Sequence, residues 1–231
     1  MKRKFYFKIL CGALLGGAAA LSAQADSIAK HVVAQSITGV VVEAGTGKPM
    51  PNVIVAIRFV RHNTGHGSPH CFRSMAVETD AQGHFRFAPW SQDNTLANFA
   101  VGELSAYKAG YAVPWWPMEL RHSTRAILGI SFSDTIHIPK QAFRLELKPY
   151  TGTDEVRMGQ VRQLISQFIC RWQAQSDDMV LMTTVRKEIA ASPIANQKTQ
   201  GGSYTHLQWI DENIRTAVEQ QGSSDPRATV R

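Results

Sequence analysis

Two short segments of this 231-residue chain carry side chains able to do chemistry. In the first, His62, His66 and His70 recur every four residues and Cys71 follows directly. Imidazoles and a thiol are the donors that hold a soft or borderline divalent metal. That spacing would align them on one helix face, but Gly65, Gly67 and Pro69 oppose a helix, so a loop would have to gather them. The same residues also read as a polar surface loop whose Cys71 is engaged in a disulfide. In the second segment, Pro114-Trp115-Trp116-Pro117 follows Gly110-Tyr111. The prolines hold the chain extended, which makes Tyr111, Trp115 and Trp116 a candidate stacking platform for a ligand such as a sugar. The alternative is that the indoles cap the open end of a core, as Trp90 after Pro89 is also placed to do.

No hydrolytic motif accompanies these segments. The chain has no G-x-S-x-G elbow and no H-E-x-x-H helix, and no histidine has a glutamate three residues later. The expectation is that the chain is not an enzyme and needs no cofactor.

The elements that must position these residues change character along the chain. Strands are expected over 36–43, 52–61, 74–79, 84–88, 101–107 and 143–149, where apolar residues alternate. Val40 and Val42 share one face, and Val53, Val55 and Ile57 share another. An apolar run over 126–132 adds a further strand. Gly45, Gly47, Pro49 and Pro51 form the turn between the first two strands, and Asp80 and Gly83 form a hairpin turn before Phe85 and Phe87. From residue 154 the period becomes helical. Val161, Leu164, Ile165, Phe168 and Trp172 form one stripe. Leu181, Met182, Val185 and Ile189 form a second stripe, after a cap at Ser176-Asp177-Asp178 and before Pro193. Leu207, Ile210, Ile214 and Ala217 form a third that stops at Gly222.

The order Gly39-x-Val41, Gly47-x-Pro49, Val53-x-Val55, Thr79-Asp80-x-x-Gly83-x-Phe85-x-Phe87, then Gly110-Tyr111 resembles the carboxypeptidase regulatory-like domain. The match is good over 36–111, loose to 149 and absent beyond. The resemblance implies a Greek-key, prealbumin-like (transthyretin-like) β-sandwich of about seven strands, followed here by about three amphipathic helices. In carboxypeptidases that domain is an accessory to a catalytic one, which is missing here. Related hydroxyisourate hydrolases keep a catalytic histidine seven residues before the glycine of the G-x-P turn, where this chain has Val40. Their C-terminal Tyr-Arg-Gly-Ser has only the echo Tyr150-Thr151-Gly152-Thr153, without the arginine.

The N-terminus reads as an export signal. Lys2, Arg3, Lys4 and Lys8 precede an apolar core over 9–21, and Ala23-Gln24-Ala25 fits small-x-small cleavage, so the mature chain would begin at Asp26. Of 25 basic and 18 acidic residues, four basic ones lie in that signal, leaving a net charge of +3. The remaining basic residues are scattered, which excludes a nucleic-acid surface. No later segment is apolar enough for a membrane span. After cleavage Cys71 and Cys170 remain, and an oxidising compartment favours their pairing over two buried thiols.

The expected organisation is a signal peptide over 1–25, a leader over 26–35, the sandwich over 36–149 and a linker over 150–153. A helical region over 154–221 and a disordered tail over 222–231 complete it. The expected function is that of a non-enzymatic periplasmic or secreted accessory protein whose sandwich presents loops to an envelope protein or glycan. The alternative is a periplasmic metal-binding or chaperone-like protein using the histidine loop. The sequence leaves the oligomeric state open.

Overall fold

The computed structural model describes residues 31–61, 70–93, 100–114, 118–119, 126–127, 130–131, 135–168, 179–198 and 202–223. Seven strands form two facing sheets. In one, β2 (Ile37–Glu43) lies between β5 (His84–Phe87) and β12 (Gln141–Leu147), antiparallel to the first and parallel to the second. The other is antiparallel, in the order β4 (His70–Glu78), β3 (Ile54–Arg61), β7 (Ala100–Tyr107), β8 (Met118–Glu119). A third sheet joins β1 (His31–Ala34) to β6 (Trp90–Asp93) and, in parallel, to β11 (Thr135–Ile138). The sheets are followed by α1 (Asp154–Phe168), α2 (Met179–Ala191) and α3 (His206–Ser223). A β-sandwich with a helical C-terminal part is the expected fold class.

Alternation along β3 explains the layering. Val55, Ile57 and Phe59, with Val53 just before the strand, are buried in the sandwich core. Ile54 and Ala56 face the other way, into a second core built with Met158, Val161, Leu164 and Phe168 of α1 and Leu181, Val185 and Ile189 of α2. The β3 sheet is thus covered on both sides. Burying each such aliphatic side chain contributes about 1.5–3 kcal/mol, which short helices need because they are marginal alone. The buried residues of α2 are the four that the helical spacing selected. On α3, Ile210 is buried and Leu207, Ile214 and Ala217 pack against the same core. That helix runs to Ser223, one residue past Gly222.

Several expectations change. The sandwich-core side of β2 carries Ile37 and Val41, while Val40 and Val42 share the opposite face, where Val42 is also buried. Gly39 occupies the inward position between them because a Cβ there would collide with the Phe85 ring at 2.6 Å. Part of the leader forms β1, whose Val32 and Ala34 enter the sandwich core. β4 begins at His70, four residues earlier than the alternation indicated. In place of one strand over 126–132, β9 (Ala126–Ile127) and β10 (Ile130–Ser131) form a short antiparallel pair. Trp90 packs edge-to-face on Phe59 at 4.7 Å, as a core cap should.

Candidate functional site

The loops are set by turns with little freedom. Gly47, at φ 67°, donates its N–H to the Glu43 carbonyl at 2.9 Å, and Pro49 then bridges to Val42. In the β4–β5 turn, Asp80 Oδ1 accepts from the Gln82 and His84 N–H groups at 3.0 and 2.8 Å. Gly83 follows at φ 75°, and its Cβ position lies 2.6 Å from the Val41 carbonyl oxygen and 2.8 Å from the Met50 nitrogen. Beside it the buried Thr79 hydroxyl accepts from Val53 N–H at 2.9 Å and donates to Met50 O at 2.8 Å. The Thr-Asp-x-x-Gly pattern therefore locks two loops together.

The open edge of the sandwich forms where the chain leaves β7. Tyr150 donates to Gly110 O at 2.9 Å and Ala112 to Lys148 O at 2.8 Å, so residues 110–112 begin an antiparallel ladder on the outer edge of β12. The next donor in that register would be residue 114, which is proline and has no N–H, so the ladder cannot continue. Beyond it a cleft of about 290 Å³ lies between residues 104–106 of β7, Pro114 and residues 144–147 of β12. Leu104, Ala106, Leu145 and Leu147 give it an apolar interior. Exposed Arg144 and Glu146, 3.5 Å apart, form a polar rim. By Met118 the chain has joined β7, opposite Leu104.

A chain of polar contacts fixes this edge. The Tyr111 hydroxyl donates to Glu43 Oε1 at 3.0 Å, and the Thr46 hydroxyl to Glu43 Oε2 at 2.8 Å. These bonds, Thr46 first, hold the Glu43 carboxyl below its ordinary value, and the carboxylate raises that of Tyr111. The carbonyl of Tyr111 accepts from Arg157 Nη1 at 3.1 Å. Arg157 is buried, stacks 5.5 Å from the Tyr150 ring centroid and pairs with Glu188 of α2. Burial lowers the Arg157 value, opposed by the nearby Tyr150 and Asp154, and burial pushes Glu188 up to about 7.

Of the residues selected from sequence, Tyr111 lies at this edge with its hydroxyl and carbonyl both engaged. Trp115 and Trp116 continue from Pro114 and lie outside the described residues, as do His62, His66 and Cys170. His70 and Cys71 open β4 in register with Arg61 and Val60, so that end of the histidine segment is strand rather than loop. Among the described residues no three His, Cys, Asp or Glu side chains are grouped to hold a metal ion. No helix there is long and apolar enough to cross a membrane. Sequence reading missed Arg157 and Glu188. The available signal was position 157, one turn before Val161 on the buried stripe, which a charged residue disguised.

The fold and this edge define a β-sandwich protein with a covering helical layer. No family model and no curated protein matches the chain. Among solved structures it is similar to 3-chlorocatechol 1,2-dioxygenase from Rhodococcus opacus 1CP, at 10% identity over 55% of this chain and 63% of that one, TM-score 0.29. It is also similar to the full-length major pilin SpaD from Corynebacterium diphtheriae, at 16% identity over 50% of this chain and 30% of that one, TM-score 0.31. A third is the group B streptococcus pilus 2b backbone protein, at 13% identity over 51% and 42%, TM-score 0.29. The chain thus spans less than two thirds of each. The expectation that it is not an enzyme is corrected by these neighbours. Dioxygenases stand among them beside pilins, so a sandwich of this kind does not exclude catalysis, and similarity at this level assigns no activity.

Proposed function

We propose that this chain is an exported β-sandwich binding protein that holds an envelope protein or glycan at the edge where residues 110–114 leave β7. The observation carrying this reading is the cleft between β7 and β12 with Pro114 on its rim. Trp115 and Trp116 are covalently bound to that rim, and Met118 is anchored on β7 only two residues after them. Both indoles thus enter the chain within two residues of Pro114. An apolar concavity with a few polar groups and adjacent aromatic faces is the common form of a ligand site.

Export rests on the basic and apolar N-terminal segment with its Ala23-Gln24-Ala25 cleavage pattern. We further propose that Cys71 pairs with Cys170. Cys71 is disulfide-bonded, and the end of α1, two residues before Cys170, lies against the sheet that holds Cys71, with the Gln167 carbonyl bonded to Arg58 of β3. The binding reading is tested by co-sedimentation with isolated peptidoglycan and by a glycan array, each run with wild type and Trp115→Ala. Binding that weakens in the variant is expected, and binding unchanged in the variant removes the platform.

A further inference from the structure

The groove between α1 and the segment leading to Trp115 has a polar lining that a binding role would use. Gln160, Gln163 and Gln167 stand three and four residues apart on one face of α1, and they border Val113, Pro114 and Leu164. Among the described residues none of the three carboxamides makes a side-chain hydrogen bond, and Gln160 Oε1 is shielded from solvent without a partner. Each carboxamide offers two donors and an acceptor oxygen, and a shielded polar atom left unpaired is costly. The enclosed part of the groove is about 10 Å³, room for about one water molecule. A ligand would therefore lie along the groove and insert a single hydroxyl.

The position of this face is fixed at both ends. Arg157 ties the start of α1 to the carbonyl of Tyr111, and Arg58 of β3 donates to the carbonyl of Gln167 near its end. These two bonds hold the α1 backbone that carries the three glutamines.

We infer that Gln160, Gln163 and Gln167 form the polar side of a site for a neutral oligosaccharide. Carboxamides and sugar hydroxyls each donate and accept, so the two pair without any charge. Among the described residues the groove lining carries no ionised side chain, which argues against an anionic ligand. This assignment deepens the proposed function and rests on it, choosing glycan over protein as the occupant of that edge.

The test uses the full mature chain. An array of neutral hexose and N-acetylhexosamine oligomers of about two to six units is screened, and the strongest binder is titrated by calorimetry. The expected result is at least about tenfold weaker binding in Gln163→Ala and in Gln160→Ala at unchanged melting temperature. Wild-type side-chain amide resonances of these glutamines should also shift on titration, a readout independent of how the variants fold. Binding that is lost in Trp115→Ala, with the glutamine variants and amide resonances unaffected, overturns this inference and leaves the proposed function standing. If no oligosaccharide binds wild type, the inference falls together with the glycan half of that proposal.

Discussion

The Arg157 guanidinium donates to the carbonyl oxygen of Tyr111 at 3.1 Å, joining the helical layer to the strand segment that rims the sandwich cleft. Tyr111 in turn reaches Glu43 at the end of β2. One residue therefore ties the first turn of α1, the outer edge of β12 and the β2–β3 turn. The cleft and the α1 groove inherit their fixed relation from it.

The tight β4–β5 turn sets a clear difference between two glycines. Gly83→Ala places a methyl against the Val41 carbonyl and the Met50 nitrogen at a left-handed φ, whereas Gly45→Ala, at φ 86°, meets open space. Left-handed φ alone costs an L-residue roughly 1–2 kcal/mol. Urea denaturation should show Gly45→Ala losing about that much and Gly83→Ala clearly more.

Thr79 bonds two backbone groups through one buried hydroxyl. Thr79→Val keeps the shape and leaves Val53 N–H and Met50 O unpaired, an expected loss of about 2–4 kcal/mol. Thr79→Ser keeps the bonds and should lose about 1 kcal/mol, mainly one methyl's burial. Equal losses in the two variants would contradict the hydroxyl's role.

The pH dependence follows from Glu188. Its carboxyl ionises near its ordinary 4.5 when unfolded and at about 7 when folded, because it is buried. Between those values the folded state keeps a proton that the unfolded chain has released. The contribution is therefore full below pH 4.5, falls as pH rises through about 7, and is level above that. The unfolding free energy of wild type minus that of Glu188→Gln should decline across this window. A difference that grows with pH contradicts the assignment.

Cys71 and Cys170 enclose a loop of 99 residues. Non-reducing peptide mapping of the native protein should recover them as one linked peptide. Cys170→Ser should lower stability by roughly 4–5 kcal/mol on the chain-entropy estimate. Free thiols at both positions in native protein would sink the pairing.

Local chemistry made much of this fold legible. The Gly47–Pro49 turn, the Asp80–Gly83 turn and the stripe Leu181, Met182, Val185, Ile189 each depend on residues near one another in sequence. What stayed hidden depends on partners far away. β1 gains its place by lying beside β11, with Val32 opposite Ile136, and β6, reading Trp-Ser-Gln-Asp, alternates too weakly to announce a strand. Gly39 concealed the inward face of β2 because the apolar volume there comes from Phe85. At the candidate site the aromatic residues were visible as types. The buried Arg157–Glu188 pair was not, since a charge on a helix ordinarily reads as solvated.

Site-specific photo-crosslinking in the envelope tests the central claim most directly. p-Benzoylphenylalanine is placed once in place of Trp116, two residues after Pro114 of the cleft lining, and once in place of Arg215, exposed on α3. A discrete adduct with an envelope component is expected from position 116 and none from 215. Adducts from position 215 alone, or equally from both, would contradict it.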